Sequence, residues 1–264
     1  MMRYLNEHFV PYDDNTQPTW RVSGYKETLT RTPNEALLTR PKTLSERVGP
    51  VRIEEKLMPA CVDFEHTQTQ AQGQRIYLRG RVLDSDGSPV RGAVLEIWQA
   101  NASGRYRHAM DATNPNPLDP HFDGAFRLCT DARGEFALRT IKPGGYPVPQ
   151  HPERWWRPPH IHFSVFGDGF ASRLVTQMYF PGEPLNAQDR ILHSVPDAQA
   201  RARLIAQPMP MQAVPQTDHL GFCWDVVIRG AQQTPIEQTD THATNHRTNS
   251  ETNSETNGGT PQWR

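Results

Sequence analysis

The chain has little net charge and no long apolar run. Its 264 residues carry a formal net charge of −1, which gives no electrostatic reason to expect nucleic acid or an anionic membrane as a partner. No apolar stretch approaches the roughly 20 residues that span a bilayer, and the polar residues 1–8 lack the apolar segment of a signal peptide. These absences favour a cytoplasmic protein.

Cysteine is also scarce. The three cysteines, Cys61, Cys129 and Cys223, are far apart and odd in number. They match no C-x-x-C metal-binding pattern. We therefore expect reduced and mostly buried thiols, as in other cytoplasmic proteins.

Composition divides the chain into three segments. Residues 1–50 form a polar arm punctuated by prolines, with one candidate helix at 32–38. Residues 51–232 form the folded domain. We expect the arm to lie across this domain or across a neighbouring subunit. Residues 233–264 form a tail with Thr-Asn-Ser-Glu repeats. Such a polar tail cannot offset its ordering entropy, so we expect it to be disordered and assign it no chemistry.

Short strand-like runs fill the folded domain. Residues 75–83 alternate apolar and polar side chains, and a turn-rich stretch leads to a return strand at 92–99. Further runs cover 125–130, 135–141, 160–166, 174–180 and 222–229, and 197–207 is the one good helix candidate. The pattern predicts an all-β fold, an antiparallel β-sandwich with a short C-terminal helix. Long loops at 100–124 and 142–159 interrupt the strands and indicate functional segments.

The second loop ends in Trp-Trp-Arg-Pro-Pro-His-Ile-His-Phe, residues 155–163. Side chains alternate faces along a strand, so His160 and His162 lie on one side and form half of a metal site. Arg157 places a fixed positive charge beside them. Ordinary polar alternation also explains the pair. A cupin-like metal site is disfavoured, because it expects a glutamate soon after His162 and residues 163–167 supply none.

Each long loop also holds a tyrosine, Tyr106 in the first and Tyr146 in the second. A loop tyrosine is more often a rim residue than a ligand, because its pKa of about 10 leaves little phenolate without a strong Lewis acid. Together with the two histidines, the set makes chemical sense. Two neutral nitrogens and two phenolate oxygens suit the hard cation Fe(III) better than zinc or copper.

With their neighbours, these residues resemble the intradiol ring-cleaving dioxygenases. The resemblance rests on Gly-Arg-Tyr-Arg-His at 104–108, Thr-Ile-Lys-Pro-Gly at 140–144, Tyr-Pro at 146–147 and Trp-Arg-Pro-Pro-His-Ile-His-Phe at 156–163. It runs from the arm to Gly230 and leaves out only the tail. Within the family, the chain is most similar to the β subunits of the protocatechuate-cleaving members.

The resemblance implies one non-haem Fe(III) per chain, bound by Tyr106, Tyr146, His160 and His162. It implies that Tyr146 is the axial ligand, which leaves the metal when a catechol binds and helps to take up a proton. It also implies that Arg157 stabilises negative charge on the substrate ring, a role suited to a fixed guanidinium.

Three further positions concern the substrate pocket. Gln177 matches a second-sphere glutamine of the family and Trp98 a tryptophan near the pocket, although both are equally explained as core packing. Val148 stands where the β subunits usually have tryptophan. In that stretch, Tyr-Pro-Val-Pro at 146–149 is closer to the catechol-cleaving branch.

The implied activity is cleavage of protocatechuate by O2 to 3-carboxy-cis,cis-muconate, in the β-ketoadipate pathway of aromatic catabolism. The implied partner is a homologous α subunit in an αβ oligomer, with the active site at the interface between the two chains. One alternative is the same chemistry on catechol, hydroxyquinol or another substituted catechol. Another is a non-catalytic structural subunit, which the presence of all four ligand positions disfavours.

Overall fold

The computed structural model describes residues 13–19, 70–148, 155–167, 173–216 and 218–237. Within these ranges the strands are β1 (Arg75–Leu83), β2 (Val94–Gln99), β3 (Ala125–Cys129), β4 (Glu135–Ile141), β5 (Tyr146–Pro147), β6 (Trp156–Arg157), β7 (His160–Phe166), β8 (Arg173–Tyr179), β9 (Gln207–Pro208), β10 (Leu220–Cys223) and β11 (Val226–Val227). The α-helix is α1 (Ala198–Arg203), and 3-10 turns cover Asp14–Thr16, Ala109–Asp111, Pro184–Gln188, Leu192–Ser194 and Met211–Ala213.

Two sheets enclose the core. In the first, β1 pairs antiparallel with β4 along one edge and parallel with β10 and β11 along the other, and β9 pairs with β10. The second has the order β3-β2-β7-β8 and is antiparallel throughout. Phe163 of β7 packs between the sheets, with its ring 6.1 Å from Phe136 and 4.8 Å from Trp224. The predicted all-β sandwich is confirmed.

Burial patterns explain how the strands sit in the sandwich. Along β1, every second residue from Ile76 to Val82 is buried and the residues between them are partly or fully exposed, as expected for a strand with one face on a core. Strand β7 is buried at every position except its last. One of its faces packs into the core, and the other carries His160 and His162. Because the residues on this second face are also buried, other parts of the chain must cover it.

Two predicted elements differ in detail. The run at 222–229 forms the two short strands β10 and β11, which pair parallel with β1, so the first sheet is mixed rather than antiparallel. The helix begins after Asp197, whose carboxylate accepts the Ala200 backbone N–H as an N-cap, but it is shorter than predicted. It ends because Leu204 and Ala206 exchange backbone hydrogen bonds with Tyr179 at the end of β8.

The predicted boundary at residue 233 does not coincide with the end of the packed chain. Gln233 and Thr234 are buried, and Ile236 packs against the main core. The Thr176 hydroxyl donates to the Pro235 carbonyl, and the Ile236 N–H donates to the side chain of Gln17 from the arm. The rest of the predicted tail, from 238, and most of the arm with its candidate helix lie outside the described residues.

The cysteines also differ from expectation. Cys129 is disulfide-bonded, so the expected reduced thiol is wrong there. Cys223 is free, as expected, but it is exposed rather than buried. Among the helices of the described ranges, none combines the length and the apolar character needed to cross a membrane.

Candidate metal centre

The two histidines start strand β7 and are held by their Nδ1 atoms. His160 Nδ1–H donates to the Pro158 carbonyl oxygen at 2.7 Å, and His162 Nδ1–H donates to Glu237 Oε2 at 2.8 Å. Both acceptors lack a proton to give, so each imidazole carries its hydrogen on Nδ1. In the neutral ring, Nε2 is then an open lone pair. Both rings therefore present a metal-binding nitrogen to the same side of the sheet.

Tyr106 is placed by the loop that follows β2. The Asn101 side-chain oxygen accepts the backbone N–H groups of Ser103 and Arg105, and this closes a tight turn. Gly104 within it has a φ of +79°, and a Cβ there would lie 2.2 Å from the Gly145 carbonyl oxygen. Glycine is thus required where this loop crosses the second loop. The crossing brings Tyr106 next to Tyr146, with ring centroids 5.6 Å apart.

Tyr146 lies in the two-residue ribbon formed by β5 and β6, directly opposite Arg157. The preceding Gly144 also touches the first loop, since a Cβ there would lie 2.3 Å from the Ala102 carbonyl oxygen. Its backbone N–H donates to the Asn101 carbonyl at 2.9 Å. A short ribbon and a close loop crossing therefore fix a tyrosine that belongs to neither main sheet.

The four side chains converge on one point. Tyr106 Oη lies 3.0 Å from His162 Nε2 and 3.4 Å from His160 Nε2, and Tyr146 Oη lies 3.2 Å from His160 Nε2. A cation about 2.0–2.1 Å from each donor spaces neighbouring ligands by roughly 2.8–3.4 Å, depending on the angle between the bonds. The observed spacing fits a metal held by these four atoms.

Electrostatics agree with that fit. Burial, with the Arg157 guanidinium as the next cause, holds the pKa of His160 well below its usual value, so the ring is neutral as a ligand must be. Burial raises the pKa of Tyr106 well above its usual value, so phenolate forms there only beside a strong cation. Within the described ranges, no group of three or more His, Cys, Asp or Glu is placed to hold a metal. A metal at this centre therefore depends on the tyrosine oxygens.

Arg157 belongs to a buried network beside the donors. Its Nε donates to Asp189 Oδ2 at 2.9 Å, and its Nη2 donates to Gln177 Oε1 at 2.6 Å and to Tyr179 Oη at 3.0 Å. Tyr179 Oη in turn donates to Gln177 Oε1 at 2.7 Å. Gln177 and Tyr179 stand opposite His162 and His160 in the pairing of β7 with β8. The network therefore lies on the same face of the sheet as the histidines.

Two donors on Gln177 Oε1 fix the orientation of its amide. The amide nitrogen Nε2 is buried and has no hydrogen-bond partner in the described structure. A buried donor without a partner costs about 1–3 kcal/mol. Such a group at the edge of a candidate centre is poised to donate to a bound molecule.

Trp98 and Val148, the two residues predicted to line the substrate pocket, have different surroundings. The Trp98 indole stacks on the His162 ring, with centroids 4.9 Å apart and planes within 8°. Its strand position opposite His162 explains the stacking. Val148 is half-buried just after β5, and its backbone N–H donates to the Trp155 carbonyl. A pocket role for Val148 stays a prediction.

Sequence reasoning missed Glu237, Asp189 and Tyr179. Glu237 stands in the segment assigned to a disordered tail, and Asp189 follows a 3-10 turn in an irregular stretch. No local pattern marks either one. Tyr179 carried a usable signal, because the residue opposite His160 on the neighbouring strand shares its face.

Comparison with known proteins gives a consistent set of relatives. A family model described as Dioxygenase matches residues 55–230. The protocatechuate 3,4-dioxygenase beta chain of Burkholderia cepacia is 44% identical over 87% of this chain and 97% of its own length. The alpha chain of protocatechuate 3,4-dioxygenase from Pseudomonas putida is 34% identical over 62% of this chain and 76% of its own, and catechol 1,2-dioxygenase 2 of Acinetobacter lwoffii is 35% identical over 42% of each. The family match includes all four converging donors and ends before Glu237.

Proposed function

The chain belongs to the intradiol ring-cleaving dioxygenases, and from this membership we propose that it is the iron-binding chain of a protocatechuate-cleaving enzyme. In the reaction, the ring bond between the two hydroxylated carbons breaks and both atoms of O2 enter the product, 3-carboxy-cis,cis-muconate. The observation that carries the proposal is the convergence of two phenol oxygens on two imidazole nitrogens, with three oxygen-to-nitrogen contacts of 3.0–3.4 Å.

Tyr106, Tyr146, His160 and His162 would hold the iron. Bound Fe(III) would keep the phenolates ionised and withdraw electron density from a chelated catecholate, which makes the ring reactive toward O2. The two histidines would bind through Nε2, because each Nδ1–H is already donated to an oxygen acceptor.

Tyr146 is the residue we assign to proton transfer. A catechol that binds through both oxygens loses its hydroxyl protons, and a phenolate oxygen at Tyr146 Oη can accept one of them. Its position supports this role, since Tyr146 Oη lies 3.2 Å from His160 Nε2, beside the other candidate donors.

Arg157 and Gln177 would stabilise negative charge on the substrate. The Asp189 carboxylate compensates the Arg157 charge, so the guanidinium acts as a rigid, oriented donor rather than as an excess charge. The unpartnered Nε2 of Gln177 supplies a second donor. Arg157 and Gln177 are both buried, and preoriented donors in a buried site are worth more than the same groups in solution.

Protocatechuate is the substrate favoured by the comparisons. The match to the beta chain from Burkholderia cepacia covers almost all of that relative, whereas the match to catechol 1,2-dioxygenase 2 covers less than half of either chain. Val148, which resembles the catechol-cleaving branch, leaves catechol as the competing substrate. Turnover with and without a ring carboxylate distinguishes the two.

A homologous α subunit is the proposed partner. Support comes from the similarity to both the beta and the alpha chains of protocatechuate 3,4-dioxygenases. Trp156, which precedes Arg157, keeps 48% of its surface exposed in the isolated chain. A large aromatic side chain exposed beside the centre is a suitable contact for such a subunit.

A visible absorption spectrum tests the proposal. The protein, co-expressed with its α partner, is measured before and after anaerobic addition of protocatechuate, and catechol serves as the comparison. We expect a red protein from phenolate-to-Fe(III) charge transfer, and a band that shifts with protocatechuate. A shift with catechol alone would change the substrate, and a colourless protein without iron after reconstitution would overturn the site and favour a structural subunit.

A further inference from the structure

Glu237 holds one of the two candidate histidine ligands from a distant part of the chain. Its Oε2 accepts His162 Nδ1–H at 2.8 Å across a separation of 75 residues. The two side chains keep only 13% and 10% of their surfaces exposed. We propose that Glu237 is a positioning residue that fixes the orientation and tautomer of His162 for metal binding. The inference rests on the iron site of the proposed function.

The segment that carries Glu237 is anchored independently of its carboxylate. Val227 and Thr234 bind each other twice, through Thr234 N–H to the Val227 carbonyl and through Val227 N–H to Thr234 Oγ1. The Thr176 hydroxyl binds the Pro235 carbonyl, and the Glu237 N–H donates to the Val175 carbonyl on the outer edge of β8. The backbone therefore delivers the carboxylate to His162, and the histidine contact is not needed to hold the segment.

The two histidines differ in how they are fixed. His160 donates to a backbone carbonyl only two residues away, so its orientation is set by the local chain. His162 depends on a charged side chain, which both orients the ring and makes its Nε2 a stronger donor to a metal. The hydrogen bond to Glu237 and the stack on Trp98 together leave the His162 ring one orientation.

The full chain, co-expressed with its α partner, tests the inference through its metal rather than its turnover. Iron affinity is measured by competition with a chelator for the wild type, Glu237→Ala and Glu237→Gln. We expect Glu237→Ala to bind iron about 10–100-fold more weakly. Glu237→Gln still accepts from Nδ1–H but lacks the charge, so it should lose less affinity. Its charge-transfer band should move to longer wavelength, because a weaker imidazole donor leaves the iron more electron-poor.

Thr234→Val is the matched control. It removes the acceptor for Val227 N–H and leaves the carboxylate of Glu237 intact, so it should lower the thermal midpoint without changing iron affinity. Equal loss of iron in this control and in Glu237→Ala would overturn the inference, since anchoring of the segment alone would then explain both. Unchanged iron affinity in Glu237→Ala, with an iron-loaded wild type, would overturn the inference and leave the proposed function standing. A wild type that binds no iron would overturn both.

Discussion

Replacement of Asp189 by asparagine tests how much the centre depends on a buried ion pair. Asp189 Oδ2 lies 2.9 Å from Arg157 Nε, and the two side chains are 0% and 2% exposed. Asp189 Oδ1 accepts the backbone N–H groups of Ile191 and Leu192, which an asparagine oxygen can still do. The substitution therefore removes the charge and sets an amide N–H against the guanidinium N–H, while the turn is kept.

The expected cost follows from burial. Removal of one partner of a buried pair leaves the other charge uncompensated and costs about 3–5 kcal/mol. For a domain of this size, about 2–4 °C per kcal/mol gives a fall in the thermal midpoint of roughly 6–20 °C. The same change should make the Arg157 side chain less well ordered. Its hydrogen bond from Nη2 to Gln177 should then weaken as well.

Differential scanning calorimetry measures the thermal midpoint of Asp189→Asn, and Asp225→Asn provides the control. Asp225 has the same arrangement, with Oδ1 on a backbone N–H and Oδ2 2.6 Å from Arg81 Nη2, but the side chains are 40% and 52% exposed. An exposed pair is worth about 0–1 kcal/mol, so the midpoint should fall by at most about 4 °C. If the two variants lose the same amount, the argument from burial is refuted.

Three further predictions concern the centre itself. Tyr146→Phe should keep its iron, because the other three donors remain, but should bind catechols more slowly in stopped-flow mixing; an unchanged rate would remove Tyr146 from proton transfer. Gly104→Ala should lose at least about 1–2 kcal/mol of stability because of its positive φ alone, and more because of the clash with Gly145. The variant should also bind less iron. A variant with wild-type stability and wild-type iron content would contradict the loop crossing. Burial and Arg157 hold the pKa of His160 well below its usual value. Below a pH of about 6.5 the unfolded chain therefore takes up a proton that the folded, metal-free chain does not. The free energy of unfolding should then fall by up to about 1.4 kcal/mol for each pH unit below that value. Urea denaturation of metal-free protein that shows the same stability at pH 7 and pH 5.5 would contradict a buried neutral ring.

Local periodicity predicted most of the fold. The strands at 75–83, 135–141 and 160–166 have the predicted bounds, because each alternates side chains around a single buried face or follows a clear turn. Parallel pairing of β10 and β11 with β1 was not predictable in this way. It depends on contacts between residues about 140 positions apart, for which the local sequence holds no signal.

Local periodicity also predicts part of the candidate centre. The spacing of His160 and His162 places both on one face of a strand, and the structure shows them there. For Tyr106 and Tyr146 the prediction rests on the chemistry of the combined donor set and on the family resemblance, because loop conformation has no periodicity to read. The partners Asp189 and Glu237 stand 32 and 75 positions from the groups that they bind, and Glu237 is hidden in a polar composition typical of disorder.

The position of β1 has a consequence for synthesis of the chain. This nine-residue strand is made before any of its neighbours, and one edge is later covered by β4. The other edge waits for β10 and β11, since Arg81 and its partner Asp225 are 144 positions apart. At roughly 5–20 residues per second, the ribosome needs about 7–30 s to cover that distance. For that time the nascent chain displays an open strand edge, the structure on which unwanted pairing between chains begins, so chaperone supply during translation should govern the yield of folded protein more than the stability of the finished sandwich.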